Sequence, residues 1–247
     1  MKFLLKLITT LLFIMTIVEA KTIEVDYKVE FGIIGEIGVA HATLTQDEHD
    51  YEIDIKLIAT GIAKALSRGR EEQHISKGHM EDGVMVTDLY QIIKSYGSKI
   101  SNKVYTINHK TKEVTKVYKK WKNGKLYKNK TTVMEGGYAK DDLLTLYFNL
   151  NKYVEDKSKS RDFRFHAVGA EIQDGYVDVH IPNSKELTEF KEILGEDGDW
   201  YARAIINQSI FSSDKGELLL SVAKDGITQK AVLKDLIFFG DIRAIRL

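Results

Sequence analysis

Cysteine is absent from all 247 residues, which excludes disulfide stapling, thiolate metal ligation, cysteine catalysis and acylation of a cut-site cysteine. Proline occurs once, as Pro182, so no proline-rich linker divides the chain. Neither sign of charge is in excess: 36 basic residues balance 36 acidic ones, and that total draws the protein toward neither nucleic acid nor an anionic membrane. The longest apolar run, Leu7 to Val18, falls short of the roughly 20 residues that cross a bilayer as a helix. No Gly-x-Ser-x-Gly elbow and no His-Glu-x-x-His segment occurs, and Ser-x-x-Lys lacks its accompanying motifs, so the sequence signatures of common hydrolases are missing. Gly32, Gly35 and Gly38 do not make Gly-x-Gly-x-x-Gly; glycines so placed in strands mark bulges and bends.

The apolar run follows Met1, Lys2 and Lys6 and is succeeded at once by charged, strand-patterned sequence. That is the pattern of a secretory signal peptide, residues 1–20. Val18 and Ala20 stand three and one residues before the expected cut, which makes Lys21 the first mature residue and the periplasm the expected address. Residues 21–247 then form a single β-rich domain with no transmembrane span. Removing Lys2, Lys6 and Glu19 takes the net charge from zero to about −1.

From Thr22 to Val133 apolar and polar residues alternate, with Ile23, Val25, Tyr27, Val29 and Phe31 on one face. Period two predicts half-buried antiparallel strands. Turn residues punctuate them at Gln46–Asp50, Glu81–Gly83, Asn108–Lys110 and Lys122–Gly124. The Asn123-Gly124 pair predicts a two-residue type I′ hairpin, because both positions need positive φ. Further strands are expected over Arg161–Ala167, Tyr176–Ile181, Trp200–Phe211, Glu217–Lys224 and Gln229–Leu236.

One segment has a different period. Leu143, Leu146, Tyr147, Leu150 and Tyr153 or Val154 recur at helical spacing, and Leu144 and Phe148 widen the apolar stripe. This predicts a helix lying in a concavity of the sheet. Asp141 and Asp142 suit its positive N-terminal end and read as capping residues before catalytic ones. Leu187, Phe190, Ile193 and Leu194 predict a short second helix, with a bent strand as the alternative. The expected fold is mainly β: one long curved antiparallel sheet, a β-roll or half-barrel, around a central helix.

The order of these features resembles an exported bacterial family, domain of unknown function 3108. The resemblance rests on Tyr27-Lys28-Val29 leading into Phe31–Gly38, on Tyr51–Ala59 with Thr60-Gly61-Ile62-Ala63, on Glu71–Gly78, and on Asp142–Phe148 as the central helix. It closes on Gly216-Glu217-Leu218, Asp225-Gly226 and Phe239–Arg243. It implies an envelope-associated protein with a curved sheet wrapped round a helix, and it carries over no catalytic or binding residue.

Between Lys94 and Lys130 stand twelve lysines against the single acid Glu113, interleaved with Tyr96, Tyr105, Tyr118, Trp121 and Tyr127. Such a face suits phosphate-bearing head groups or an acidic partner; it equally serves as a solvated outer face that discourages strand-edge pairing. Glu186, Glu189, Glu192, Glu196, Asp197 and Asp199 supply compensating charge downstream. Among seven histidines, His74 and His79 lie an odd number of residues apart and would face opposite ways in an unbroken strand. No metal or other cofactor is therefore expected.

The leading expectation is a non-enzymatic envelope protein that holds a lipid-like or other apolar ligand in the concavity. Its groove residues would be Leu143, Leu146, Tyr147, Phe148 and Leu150 of the helix, with Tyr118 and Trp121 nearby. Lys116, Lys119, Lys120 and Lys122 would meet an anionic head group. Two further classes stay open: an assembly or structural factor that binds another envelope protein, and a hydrolase of envelope polymers using acids brought together in space, such as Glu71 and Glu72. Nucleic acid is not an expected partner.

Overall fold

The computed structural model describes residues 20–170, 174–206, 216–236 and 240–247; all but the last residue of the expected signal peptide lies outside them. The strands are β1 (Lys21–Phe31), β2 (Gly35–Gln46), β3 (Asp50–Ala59), β4 (Glu71–Glu81), β5 (Val84–Tyr96), β6 (Lys99–Asn108), β7 (Glu113–Lys122), β8 (Lys125–Val133), β9 (Asp141–Asp142), β10 (Arg161–Val168), β11 (Tyr176–Ile181), β12 (Trp200–Ile206), β13 (Gly216–Val222), β14 (Thr228–Leu236) and β15 (Gly240–Arg246). The helices are α1 (Gly61–Leu66), α2 (Leu143–Tyr153) and α3 (Ser184–Leu194). Phe211 and Phe239, expected at strand ends, lie outside the described residues.

All fifteen strands among the described residues belong to one sheet, ordered β8-β7-β6-β5-β4-β3-β2-β1-β15-β14-β13-β12-β11-β10-β9. Every neighbouring pair is antiparallel except β9 with β10. The chain meanders outward from β1 to one edge at β8, crosses through α2, and returns to lie against the other side of β1. The sheet does not close by continuous pairing. It curls until the segment before β9 meets β5, where the Thr87 amide donates to the Lys140 carbonyl at 2.8 Å.

Local sequence explains most of the turns. Lys122 pairs with Lys125 across Asn123 and Gly124, whose φ values of 51° and 73° are those of a type I′ turn. Helix α1 departs from the expected strand end at Thr60–Ala63. It is a single short turn of helix with no buried residue, so it carries no apolar periodicity by which to be read. Helix α3 is the expected second helix. It opens on a reciprocal Asn183–Glu186 capping box and lays Phe190 and Leu194 on Tyr201, Leu219 and Val232 of the convex face.

Helix α2 is buried on three sides. Leu146, Leu150 and Val154 pack on Val179, Ile181, Ala202 and Leu220 of the returning strands. Leu144 and Phe148 pack against Leu44, Tyr51, Ile53 and Met85 of the outgoing ones. The third face is polar: Thr145, Asn149 and Tyr153 follow one another at four-residue spacing toward β4 and β5, and all their hydroxyl or amide groups are bonded. Asn149 both accepts from the Met85 amide (3.2 Å) and donates to the Met85 carbonyl (2.9 Å), so it reads β5 as a neighbouring strand would.

Asp142 ties these parts together. It is fully buried and caps α2, accepting from the amides of Leu144 (2.7 Å) and Thr145 (3.3 Å) through Oδ1. Its Oδ2 accepts from Ser76 of β4, from Thr87 of β5 (2.9 Å) and from Thr145 (2.9 Å). Tyr51 of β3 joins through Thr145 Oγ1 at 2.8 Å. Burial raises the carboxyl's pKa despite these donors. Replacing Asp142 with Ala strands several buried donors and removes the cap, and should cost about 3–5 kcal/mol of unfolding free energy in urea denaturation; a loss below about 1 kcal/mol would contradict the role given to it.

Candidate functional site

The concave face is not filled evenly. Between α2 and the strands at the middle of the sheet lies an apolar chamber of about 370 Å³, within the range of ligand sites, about 300–1,000 Å³. Its walls come from β1 (Ile23, Val25, Tyr27, Val29), β2 (Ala40, Ala42, Leu44), β3 (Ile55, Leu57), β13 to β15, and Leu144, Tyr147 and Phe148 of α2. The hollow has a local cause. Ala40, Ala42, Ala231 and Ala244 occupy inward strand positions where larger aliphatic side chains would otherwise reach α2 and complete the packing.

Polar groups in the chamber are few. Tyr147 donates to Thr228 Oγ1 at 2.5 Å and accepts from the Thr228 amide at 3.0 Å, while Tyr27 donates to the Thr228 carbonyl at 2.9 Å. Burial pushes the pKa of both tyrosines up, so both remain neutral donors.

A second hollow of about 390 Å³ lies toward the β8 edge, lined by Arg70, Lys94, Tyr96, Lys99, Tyr118, Lys120 and their neighbours. Its character is cationic. Tyr118 alone has Lys103, Lys120 and Lys128 at 4.9 to 5.6 Å from its ring centre. Glu72 accepts from Lys94 at 2.6 Å and pairs with Arg70 and His74. Burial works against its ionisation, but the His74 and Lys94 hydrogen bonds and the charges of Lys94 and Arg70 hold its carboxyl well below the usual range.

Strand register joins the two hollows. Directly paired residues run Tyr27–Ala40–Leu57–Glu72–Lys94–Ser101–Lys120–Lys128 across β1 to β8. Paired residues share a face, so one row begins as chamber wall and becomes the floor of the basic hollow between Leu57 and Glu72. Ala40 and Lys94 are three strands apart, about 14 Å at ordinary strand spacing.

The expected groove residues divide accordingly. Tyr147 and Phe148 line the chamber. Leu146 and Leu150 face away from it into the core of the returning strands, and Leu143 is wedged between two core clusters. Tyr118 lines the basic hollow rather than the chamber, and Trp121, beside the β7–β8 irregularity, lines neither. Of the four lysines, Lys120 lines the hollow and Lys116 lies 5.8 Å over the Tyr105 ring. Lys119 alternates to the other face of β7, and Lys122 is exposed at the hairpin tip. The strand residues of the chamber escaped the reading of the sequence; four alanines in otherwise bulky strand positions were the available signal.

Asp141 and Asp142 have separate work. Asp141 accepts from Asn149 (2.7 Å) and Tyr153 (2.8 Å), and Asp142 caps and ties α2. No carboxylate pair among these two is free to flank a substrate.

No family model and no curated protein matches the chain. Among solved structures it is similar to the crystal structure of a β-barrel-like protein of domain of unknown function DUF1849 from Brucella abortus. What the two share is a fold. The match covers 91% of this chain and 94% of that one with a TM-score of 0.50, at 11% identity. It places the chain coarsely among β-rich proteins built on a curved sheet. Among the described residues no helix is long and apolar enough to cross a membrane.

Burial raises Asp141 from 3.8 to about 6, against the hydrogen bonds of Asn149 and Tyr153. The folded state thus holds this proton more tightly than the unfolded chain. The associated stability is complete below about pH 4 and is lost as pH rises through 6. Relative to the non-titrating Asp141→Asn variant, the native protein should lose about 2.5 kcal/mol between pH 4 and pH 7; a difference independent of pH in paired denaturant titrations would contradict this assignment.

Proposed function

We propose that this is an exported envelope protein that carries or senses an amphipathic anionic lipid, its acyl portion in the chamber and its head group over the basic hollow. The observation that carries the reading is the cross-strand row in which Ala40 and Leu57 of the chamber continue into Glu72, Lys94 and Lys120. An apolar hollow alone fits any greasy molecule. An apolar hollow continuous with a cationic one fits a molecule that is apolar at one end and anionic at the other.

Other features support the same reading. Near Val29 and Leu57 stands α1, whose Ile62 and Leu66 are 70% and 80% exposed, an apolar step beside the chamber's end. The export signal read in the sequence and the likeness to the DUF3108 family support an address in the cell envelope. A lipid there meets the protein without entering the cytoplasm.

The test is native mass spectrometry of the mature chain purified without detergent, with lipid extraction, alongside titration with a diacyl phosphatidylglycerol. A stoichiometric anionic lipid is expected. Ala42→Phe fills the chamber and should abolish the adduct while circular dichroism and Tm stay near those of the native chain. Lys94→Glu with Lys120→Glu should weaken phosphatidylglycerol by about tenfold or more, 1.4 kcal/mol, and leave a neutral diacylglycerol unaffected. Recovery of a lipid-free chain that also fails to take up phosphatidylglycerol would overturn the proposal.

A further inference from the structure

We infer that the protein has a binding site for one first-row divalent transition metal, Zn²⁺ by its donor set, built from His79, Asp88 and His109. This site is remote in chemistry from the lipid chamber and does not depend on it. The three residues come from β4, β5 and the turn after β6, and their donor atoms all lie within 4.8 Å of one another. His79 Nδ1 is 3.0 Å from one Asp88 oxygen and His109 Nε2 is 3.3 Å from the other. The two imidazoles meet edge to face with ring centres 5.5 Å apart. Donors around a tetrahedral Zn²⁺ at about 2.0–2.2 Å are a little over 3 Å apart, so the two histidine–carboxylate spacings already match, and the two imidazole donors, within 4.8 Å of each other, close by at most about 1.5 Å.

Backbone geometry brings the carboxylate there. Lys77 pairs with Leu89, and the next residue, Gly78, pairs with Thr87. Asp88 is therefore the extra residue of a β-bulge, the device by which a strand re-aims a side chain. The bulge requires a glycine opposite. A Cβ on Gly78 would lie 1.9 Å from the Val86 carbonyl oxygen and 2.9 Å from the Asp88 amide nitrogen. The same bulge lets Thr87 turn inward to Asp142 while Asp88 turns to the histidines.

The surrounding groups fit ligation. His109 Nδ1 lies 3.2 Å from the Tyr138 hydroxyl, a second contact of the kind that fixes the ring of a ligating histidine. Nε2 of the same ring lies 2.9 Å from the Thr87 carbonyl oxygen; ligation takes the neutral tautomer whose proton sits on Nδ1, facing the Tyr138 hydroxyl, so that the Nε2 lone pair turns to the metal. Two imidazoles and one carboxylate, all half-exposed, leave a coordination position for water. The other histidine–carboxylate contacts among the described residues differ: His41 meets Asp26, His74 meets Glu72, and His180 meets Asp162 and Glu186, each with one imidazole.

The experiment uses the mature chain, made without a polyhistidine tag and stripped with EDTA, titrated with Zn²⁺ by calorimetry and with Co²⁺ by visible absorption. One-to-one uptake with a ligand-field band and a rise in Tm is expected. His79→Gln, His109→Gln and the near-isosteric Asp88→Asn should each weaken Zn²⁺ by about a hundredfold or more, and His180→Gln should leave it unchanged. Circular dichroism confirms that each variant is folded. Absence of saturable uptake by the native chain, or uptake that survives in a folded His79→Gln or His109→Gln protein, would overturn the inference.

Discussion

A single buried carboxylate governs this architecture. A sheet of fifteen strands that does not close by hydrogen bonding needs something to hold its two arms at a fixed curvature. Asp142 supplies it by lying in β9 beside β10 while accepting from β4, β5 and its own helix. An ion so deep is costly unless its lone pairs are filled, and here hydroxyls and amides fill them. The polar face of α2 extends the tie along β5 through Asn149 and Met85. Hydrogen bonds have direction where hydrophobic contacts do not, so this network sets the angle and register at which the helix enters the concavity.

Because the helix is held by polar bonds along one face and by leucines along another, the side that carries Tyr147 and Phe148 need not be packed to full density. That side faces alanines, and the chamber results. The loss of dispersion contact around such a hollow is real, and the apolar walls on both arms of the sheet offset it. The chamber and the basic hollow therefore belong to one surface, graded from apolar to cationic along rows of paired residues.

Glycine and bulge play a comparable part at the other flank. Gly78 permits close approach of β4 and β5, the bulge divides Thr87 from Asp88, and two neighbouring side chains serve different ends, one in the buried network and one beside two histidines. An odd separation of His74 and His79 keeps them on different sides, as strand parity requires. What parity could not give was the partner of His79, because His109 belongs to a turn thirty residues on.

Period two in β1 to β8, the Asn123-Gly124 turn, the helical spacing from Leu143 to Val154 and the capping residues of α2 and α3 are local properties, and the sequence alone determined them. The mainly β class and the helix within a curved sheet follow from the same local signals. Pairing across strands is non-local. Which face of α2 meets which arm, the continuity of Leu57 with Glu72 and Lys94, the separation of Tyr118 from the helix, and the approach of Asp88 to two histidines depend on register, bulges and curvature. Only the tertiary structure decided these, because a strand's own sequence fixes which residues share a face but not which residues of other strands that face will meet.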